Sequence, residues 1–391
     1  MKIAIYGLVI TSSWGNGHAT TYRSLCKALA RRGHQIDFVE KDLEWYRNNR
    51  DLPTPEFCKV HQYEDWARDS RKLVRLAKDA DVVVIGSYFP DGSAAAEALF
   101  EGGCEPIVFY DIDTPITISK LRGNGGTTYL EARHIPFFAA YLSFTGGPLL
   151  REIEEKFRAP MAIPFYCSVD PELYRPTASV ADFRCDMSYL GTYAHDRQAK
   201  LDRLLNATAT ALPKSRFIVA GPQYPPNIPW EPNVERIIHL SPREHPAFYC
   251  SSRFTLNLTR AEMIAAGYSP SVRLFEAAAC GATIVSDDWD GLESFLTPGE
   301  EILLPRDTDD VVRILQSLSD EECMRIGLNA RERILSQHTA MHRALQFEGV
   351  VDLCRRRIPT KRRSKPETFS KGRQDARHKQ IRTRELSLPQ R

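Results

Sequence analysis

Short apolar segments rich in β-branched residues alternate with segments of helical periodicity through most of this 391-residue chain. In the first half, the apolar segments predict strands at 2–8, 35–40, 81–87, 106–111 and 140–144. The intervening segments predict helices at 20–32, 64–78 and 92–101. Strands and helices that alternate in this order are typical of a parallel sheet covered by helices.

The same pattern repeats in a second set of elements. Strands are predicted at 186–190, 216–220, 235–239, 254–258 and 283–287, and helices at 196–211, 242–250 and 271–280. From 309 to about 356 the chain has mainly helical periodicity. The predicted fold class is therefore α/β, with two doubly wound, Rossmann-like parallel-sheet domains that face each other across a cleft.

The residues between the two sets, 163–176, are rich in proline and lack clear periodicity, as expected of an interdomain connection. We therefore predict a first domain at 1–165, a linker at 166–180 and a second domain at 181–340. A helix at 341–358 and a tail at 359–391 follow. Because ligands bind where the strands of such domains end, the cleft between the domains is the expected site.

Composition narrows the class of protein. Apolar residues make up 42% of the chain and charged residues 26%, which is average for a folded globular protein. No run approaches the roughly 18 apolar residues of a membrane span, and the apolar start has no cleavage site. Nine cysteines without a Cys-x-x-Cys pair predict neither a disulfide framework nor a zinc site. We therefore expect a cytoplasmic protein.

The formal net charge of +2 conceals a basic C-terminus. Residues 355–391 contain 14 Lys and Arg against three acidic residues, a net charge of +11, so the rest of the chain carries −9. An acidic body is not typical of a folded surface that binds nucleic acid. Residues 359–391 also lack apolar periodicity, which predicts a disordered basic tail suited to contact with anionic surfaces.

The segment 11–21 follows the first predicted strand and leads into the first predicted helix. Here Gly15, Asn16 and Gly17 can bring backbone N–H groups close to an acceptor or a phosphate. A plain tight turn explains the two glycines equally well. His18, at the helix start, is a candidate general base, and the alternative is a capping or packing histidine.

A second motif spans 268–287. Ser269 and Pro270 are suited to begin a helix, and Gly281 is suited to end it. Within this otherwise apolar helix, Arg273 and Glu276 lie three residues apart on one face. One alternative is an internal ion pair. The other is a nucleotide-sugar site, in which the arginine meets a phosphate and the carboxylate accepts two vicinal hydroxyls.

Two further segments give weaker signals. Gly191 and Thr192, after the first strand of the second set, can line phosphates, and Arg197 can neutralise their charge. A solvated helix face explains Arg197 equally well. Asp111 and Asp113 follow a strand, where alternation would place both carboxylates on one face. Metal binding and hydrogen bonding to nearby loops both explain such a pair.

Three blocks of the sequence resemble group 1 (GT4-like) glycosyltransferases, most closely the CgeB or spore maturation protein-like subgroup. The blocks are 10–23, 169–176 and 276–304, and the resemblance covers about residues 1–350. It implies a GT-B architecture, in which the first domain binds the acceptor and the second binds the nucleotide-sugar donor. It also implies that the C-terminal helix returns towards the first domain.

By position, the resemblance implies that Glu276 holds the donor ribose hydroxyls and that Arg273, Ser269 and Ser271 face the diphosphate. It further implies that helix dipoles and basic residues stabilise the leaving diphosphate, so no metal and no cofactor is expected. One position departs from the family pattern. Retaining members usually have a glutamate eight residues before the ribose-binding one, and Tyr268 stands there in this chain. The donor sugar and the stereochemical outcome therefore stay open.

The sequence thus predicts a glycosyltransferase that moves a hexosyl or similar group from a nucleotide-diphosphate sugar to an unidentified saccharide, protein or small-molecule acceptor. His18 and Asp113 are the candidates to deprotonate the acceptor. Two alternatives share the fold: a nucleotide-sugar epimerase or phosphorylase, and a catalytically inactive nucleotide-sugar binding protein. A nucleic-acid-binding protein is a further alternative that rests on the basic tail alone.

Overall fold

The computed structural model describes residues 1–15, 17–124 and 126–357. Its first unit is a seven-stranded sheet in the order β3-β2-β1-β4-β5-β6-β7, and all its neighbouring strands are parallel. The strands are β1 (Lys2–Tyr6), β2 (Gln35–Lys41), β3 (Lys59–Tyr63), β4 (Val82–Gly86), β5 (Ile107–Asp111), β6 (Ala140–Ser143) and β7 (Ala162–Pro164).

Helices cover both faces of this sheet. Every residue of the central strands β4 and β5 is buried, which explains why they form continuous apolar runs instead of alternating. The helices are α1 (His18–Arg31), α2 (Glu44–Arg47), α3 (Trp66–Lys78), α4 (Gly92–Glu101), α5 (Thr114–Asn124) and α6 (Pro148–Glu155), with a 3-10 helix at Ala132–Phe137.

The second unit is a five-stranded parallel sheet in the order β10-β9-β8-β11-β12. Its strands are β8 (Cys185–Leu190), β9 (Phe217–Ala220), β10 (Val234–Ile237), β11 (Ser252–Asn257) and β12 (Ile284–Ser286). Both sheets have the strand order of a doubly wound fold, in which the order reverses beside the first strand. The prediction of two doubly wound parallel-sheet units is therefore confirmed.

The helices of the second unit include the mainly helical C-terminal part. They are α7 (His195–Leu201), α8 (Ala207–Ala211), α9 (His245–Ser251), α10 (Ala261–Ala266), α11 (Val272–Ala279), α12 (Thr308–Ser317), α13 (Asp320–Gln337) and α14 (Ala340–Arg357). A π-helical turn, Asp202–Asn206, joins α7 to α8, so the single helix predicted at 196–211 has an irregular middle. Short 3-10 helices lie at Ala181–Phe183 and Leu292–Ser294.

The strands that the sequence pattern did not predict are the two edges of the larger sheet. β3 has the sequence Lys-Val-His-Gln-Tyr, and β7 has three residues that end in proline. An edge strand has one unpaired side and less buried area, so it requires neither a continuous apolar run nor every backbone N–H. Helices α2, α5, α6 and α10 were also not predicted. Of these, α2 is a single turn and α5 has little amphipathic character.

Helix α14 joins the two units, because it follows the second unit in sequence and packs against α1 of the first. Phe347 on α14 and Leu29 on α1 belong to one apolar cluster that also includes Phe275 of the second unit. Glu348 accepts hydrogen bonds from Arg32 at 2.6 and 2.7 Å. The two units are thus held together by a shared apolar core as well as by polar contacts.

Within the described ranges, no helix combines the length and the apolar character that crossing a membrane requires. Ile358 and the predicted tail at 359–391 lie outside the described residues.

Candidate functional site

The N-terminus of α11 lies where the second sheet meets the first unit. Ser271 is the N-cap residue, with extended backbone angles of −80° and 149°, and its hydroxyl donates to Asn257 Oδ1 at 2.7 Å. Ser269, predicted to begin the helix, instead lies before it, and its hydroxyl is 2.8 Å from that of Thr145 in the first unit. The prediction that Ser269 and Pro270 begin the helix was therefore wrong, whereas the predicted bounds 271–280 agree with α11 to within one residue.

Arg273 is directed towards the loop after β8. Its Nη1 donates to Asn257 Oδ1 at 3.1 Å, and its guanidinium lies 5.2 Å from the centre of the Tyr189 ring. A Cβ added to Gly191 would lie only 2.9 Å from Arg273 Nη2. The glycine thus leaves room for the guanidinium at the carboxyl end of the sheet. Among the described residues, no ion pair joins Arg273 to Glu276, contrary to the ion-pair alternative.

Glu276 is buried, with 7% of its surface exposed. Its Oε2 lies 3.9 Å from His245 Nδ1, which is in turn 3.4 Å from the Tyr174 hydroxyl. Burial raises the pKa of Glu276 to about 7, although Tyr174, Arg273 and Tyr249 lower it. Burial also lowers the pKa of His245 to about 4, so this histidine is neutral at physiological pH. The burial of the carboxyl group thus disfavours its charged form.

A second tyrosine hydroxyl lies beside Glu276. Tyr249 is fully buried, and its interaction with the Glu276 carboxyl group lowers the pKa of that carboxyl. Tyr174 lies in the linker block that carries part of the family resemblance, whereas nothing in the sequence singles out Tyr249 or His245.

The loop after β8 contains the weaker phosphate candidates. Arg197 donates to the Thr192 carbonyl at 2.6 Å, so it braces the loop from the start of α7. Lys200, on the same helix, forms an ion pair with Asp287 at 2.7 Å. Arg197 therefore helps to hold the loop that follows Gly191 in its conformation. Neutralisation of phosphate charge by Arg197 stays a prediction.

On the first unit, His18 is the first residue of α1 and only 8% of its surface is exposed. Its Nε2 lies 3.5 Å from Asp113 Oδ2, and its ring meets Tyr88 edge-on with centroids 5.3 Å apart. Its Nδ1 is buried and has no hydrogen-bond partner in the described part of the chain. The structure thus brings the two candidate bases together as one pair.

The two glycines of the loop before His18 are exposed, whereas Thr11 and Ser12 at its start are fully buried. A Cβ added to Gly15 or Gly17 would meet no described atom within 4 Å, and Gly15 has a φ of +67°. Asn16 lies outside the described residues. The start of the loop is anchored, because Asp51 accepts from Ser13 N–H at 2.8 Å and from Arg23 at 2.8 Å. Nothing in the sequence indicates the Asp51 anchor, which comes from a separate loop.

Asp111 and Asp113 do not form a paired carboxylate site. Asp111 is fully buried and accepts hydrogen bonds from Tyr141 and from Thr117, and burial raises its pKa to about 6. Asp113 comes one residue after Ile112 and directly before α5, and it faces His18. The interpretation that strand alternation places both carboxylates on one face was therefore wrong, because β5 ends at Asp111.

The second unit also influences the pKa of Asp113. Burial raises the pKa of Asp113, but the hydrogen bond with His18 and the charge of Arg260 lower it, and the net result is a lowered pKa. Arg260 immediately precedes α10, which packs against α5. An anionic Asp113 beside His18 is the arrangement that holds an imidazole in one tautomer, with Nδ1 left as the proton acceptor.

One other group among the described residues has the spacing of a metal site. Glu97, Glu131 and His134 each place a ligand atom within 4.8 Å of the others. Arg133 forms ion pairs with both carboxylates, so part of their charge is already neutralised within the protein. This cluster therefore gives no reason to assign a metal ion.

Comparison with known proteins supports the fold. A family model described as glycosyl transferase-like matches residues 197–349. A search of curated protein sequences finds no match.

Among solved structures, sucrose-phosphate synthase from Thermosynechococcus elongatus is similar, with a TM-score of 0.63 and 13% identity over 90% of this chain and 98% of that one. HepE from Anabaena in complex with UDP-glucose has a TM-score of 0.62 and 14% identity over 90% of this chain and 100% of that one. An alpha-glucosyltransferase in complex with UDP-glucose and DNA has a TM-score of 0.63 and 15% identity over 90% and 99%. The chain has the GT-B fold, as the sequence predicts.

Proposed function

We propose that this protein transfers a hexosyl or similar group from a nucleotide-diphosphate sugar to an acceptor hydroxyl or a similar nucleophile. The observation that carries the proposal is α11, a helix whose half-buried N-terminus presents Arg273 beside Gly191 and whose next turn presents a buried Glu276. A buried carboxylate suits two vicinal ribose hydroxyls, and the arginine suits a diphosphate.

The leaving diphosphate requires electrostatic stabilisation. Arg273 and the N-terminus of α11 would supply it, together with backbone groups at Gly191 and Thr192. Ser269 and Ser271 lie at the same helix end, although their hydroxyls contact Thr145 and Asn257. Every step in this scheme uses groups of the chain itself, and we propose no metal and no cofactor.

The acceptor requires orientation and loss of a proton. In our proposal, the acceptor O–H gives its proton to His18 Nδ1 while the oxygen bonds to the sugar carbon and the diphosphate leaves. Asp113 holds the Nε2 proton of His18 and stabilises the imidazolium that forms. Gly15 and Gly17 would border the acceptor on the exposed side of the loop.

The comparisons support this proposal at the level of the family and the fold. The matched range 197–349 contains the whole of α11, and both HepE and the alpha-glucosyltransferase are described in complex with UDP-glucose. We place the chain in the CgeB-like subgroup on its sequence blocks. We also place it in the cytoplasm, because its nine cysteines are free thiols.

A thermal-shift screen against UDP, GDP, TDP, ADP and CMP tests donor binding. A nucleotide at about 100 times its dissociation constant stabilises a protein by about 2.7 kcal/mol, which is easily measured. We expect at least one nucleoside diphosphate to raise the melting temperature. No shift with any of them would contradict the donor site.

Product analysis with a labelled donor then tests the reaction. Transfer requires an acceptor, so label should appear in an acceptor product and not in an epimerised donor. Label found only in an epimer or a sugar phosphate would favour the epimerase or phosphorylase alternative. Binding without any product would favour the inactive binding protein.

A further inference from the structure

Tyr268 lies between two glycines that belong to different units. A Cβ added to Gly147, directly before α6, would lie 2.3 Å from Cδ2 of the Tyr268 ring. A Cβ added to Gly291 of the second unit would lie 2.4 Å from Cδ1. These glycines have φ angles of +63° and +87°, so a larger residue at either position would be strained as well as crowded. The ring therefore fills a slot that the two glycines keep open.

The backbone of Tyr268 is fixed from both sides. Its φ is +48°, an uncommon value for a bulky residue. Its N–H donates to the Asp290 carbonyl at 2.6 Å, and its carbonyl accepts from Gly146 N–H of the first unit at 2.9 Å. The next residue continues the contact, since the hydroxyls of Ser269 and Thr145 are both buried and 2.8 Å apart. A short strip of the second unit is thus bound directly to the first.

This strip leads immediately into α11. Only three residues separate Tyr268 from the first residue of the helix, Val272, and Arg273 follows it. A ring fixed in the slot therefore restricts where the helix N-terminus can lie relative to the first unit. We propose that Tyr268 is a positioning residue that holds the N-terminus of α11, and with it Arg273, in the orientation that binds a nucleoside diphosphate. The ligand in this statement rests on the proposed function.

The test measures the affinity for UDP by calorimetry and the radius of gyration by X-ray scattering, both on the full chain. Tyr268→Phe keeps the ring, so its dissociation constant should stay within about twofold of the original. Tyr268→Ala empties the slot and Gly147→Ala obstructs it, and each should weaken UDP binding by about fivefold or more because pre-organisation is lost. Both should also enlarge the radius of gyration.

Gly299→Ala is the matched control for Gly147→Ala. Gly299 has a φ of +81°, but a Cβ there meets no described atom within 4 Å. This variant also places a side chain at a positive φ and does not touch the ring, so its UDP affinity should not change. In the double variant Gly147→Ala with Tyr268→Ala, the methyl group has no ring to displace. Its loss of affinity should therefore match that of Tyr268→Ala alone and not the product of the two single losses.

The possible outcomes separate this inference from the proposed function. If Tyr268→Ala binds UDP as tightly as the original protein, Tyr268 does not position α11. The same holds if the loss of UDP affinity in the double variant equals the product of the losses in Gly147→Ala and Tyr268→Ala. If the original protein binds no nucleoside diphosphate, the proposed function fails. The scattering comparison then decides whether Tyr268 holds the units together. Should Tyr268→Ala not fold, Tyr268→Leu takes its place in every comparison.

Discussion

At the scale of single residues, Glu276 is the side chain whose charge state decides donor binding in our proposal. Glu276→Gln keeps the shape of the side chain and removes its charge. Binding of the nucleoside diphosphate that the screen identifies should weaken by about 1.5–3 kcal/mol, the contribution of a hydrogen bond to a charged group. Calorimetric titration measures this loss. Unchanged affinity would remove Glu276 from the donor site.

The raised pKa of Glu276 gives a second prediction, for stability against pH. The carboxyl of the unfolded chain ionises near its ordinary value of 4.5, whereas that of the folded chain ionises near 7. Stability is therefore lost as the pH rises between these values, by about 3 kcal/mol at most. Because Glu276→Gln cannot ionise, it should melt at a higher temperature relative to the original protein at pH 8 than at pH 5. A difference that does not change with pH would contradict the raised pKa.

His18 carries the mechanistic prediction. Its Nδ1 has no hydrogen-bond partner among the described residues and its Nε2 faces Asp113, so its loss removes the proton acceptor without emptying a large apolar site. His18→Ala should lower turnover by about 100-fold or more, the typical contribution of a general base. The affinity for UDP and the melting temperature should stay close to the original values.

Asp113→Asn provides the comparison for His18→Ala. If Asp113 only orients His18, this variant should lose less turnover than His18→Ala, and the double variant should be no worse than His18→Ala alone. A loss below tenfold in His18→Ala would make His18 a loop-organising residue. A collapse of UDP binding in that variant would place His18 in the donor site.

At the scale of elements, the carboxyl end of β8 and the N-terminus of α11 form one phosphate-binding unit in our proposal. Gly191→Ala would place a methyl group 2.9 Å from Arg273 Nη2 and 2.8 Å from the Tyr189 hydroxyl. Both of these atoms lie at the ends of side chains, so the fold can adjust while Arg273 is displaced. UDP affinity should fall by about tenfold, the equivalent of one charge-assisted hydrogen bond.

Gly349→Ala is a suitable control for this methyl group. Gly349 lies in α14, and an added Cβ there meets no atom within 4 Å. Its UDP affinity should not change. Equal losses in both variants would mean that the effect does not pass through Arg273.

The apolar pattern of each element decides whether it could be predicted from the sequence. The central strands and the helices that cover them follow from their apolar patterns, because burial on both faces leaves a strong periodic signal. The edge strands β3 and β7 leave little signal. Arg273 and Glu276 stand out because they are charges within an apolar helix. By contrast, the partners of Glu276, the anchor at Asp51 and the contact of Ser269 with Thr145 come from distant segments, which no local pattern brings together.

At the scale of the whole molecule, α14 is the last described element of the chain, and it packs against the first unit. This helix buries Phe347, Val350 and Val351 at 3% exposure or less, in the apolar cluster that it shares with α1. Removing α14 would expose that cluster, whereas the basic residues beyond it have no apolar periodicity. Two truncations of the chain should therefore behave in opposite ways.

Truncation after Arg357 keeps all of α14 and removes the whole basic tail at 359–391. We expect its melting temperature and its activity with a soluble acceptor to stay nearly unchanged, while binding to anionic vesicles at low salt decreases. Truncation after Thr339 removes α14 as well and should destabilise the protein severely, because the apolar face of α1 loses its cover. Scanning calorimetry of both proteins measures the difference. A large loss of stability after the first truncation would show that part of the tail packs against the body, contrary to the prediction of a disordered segment.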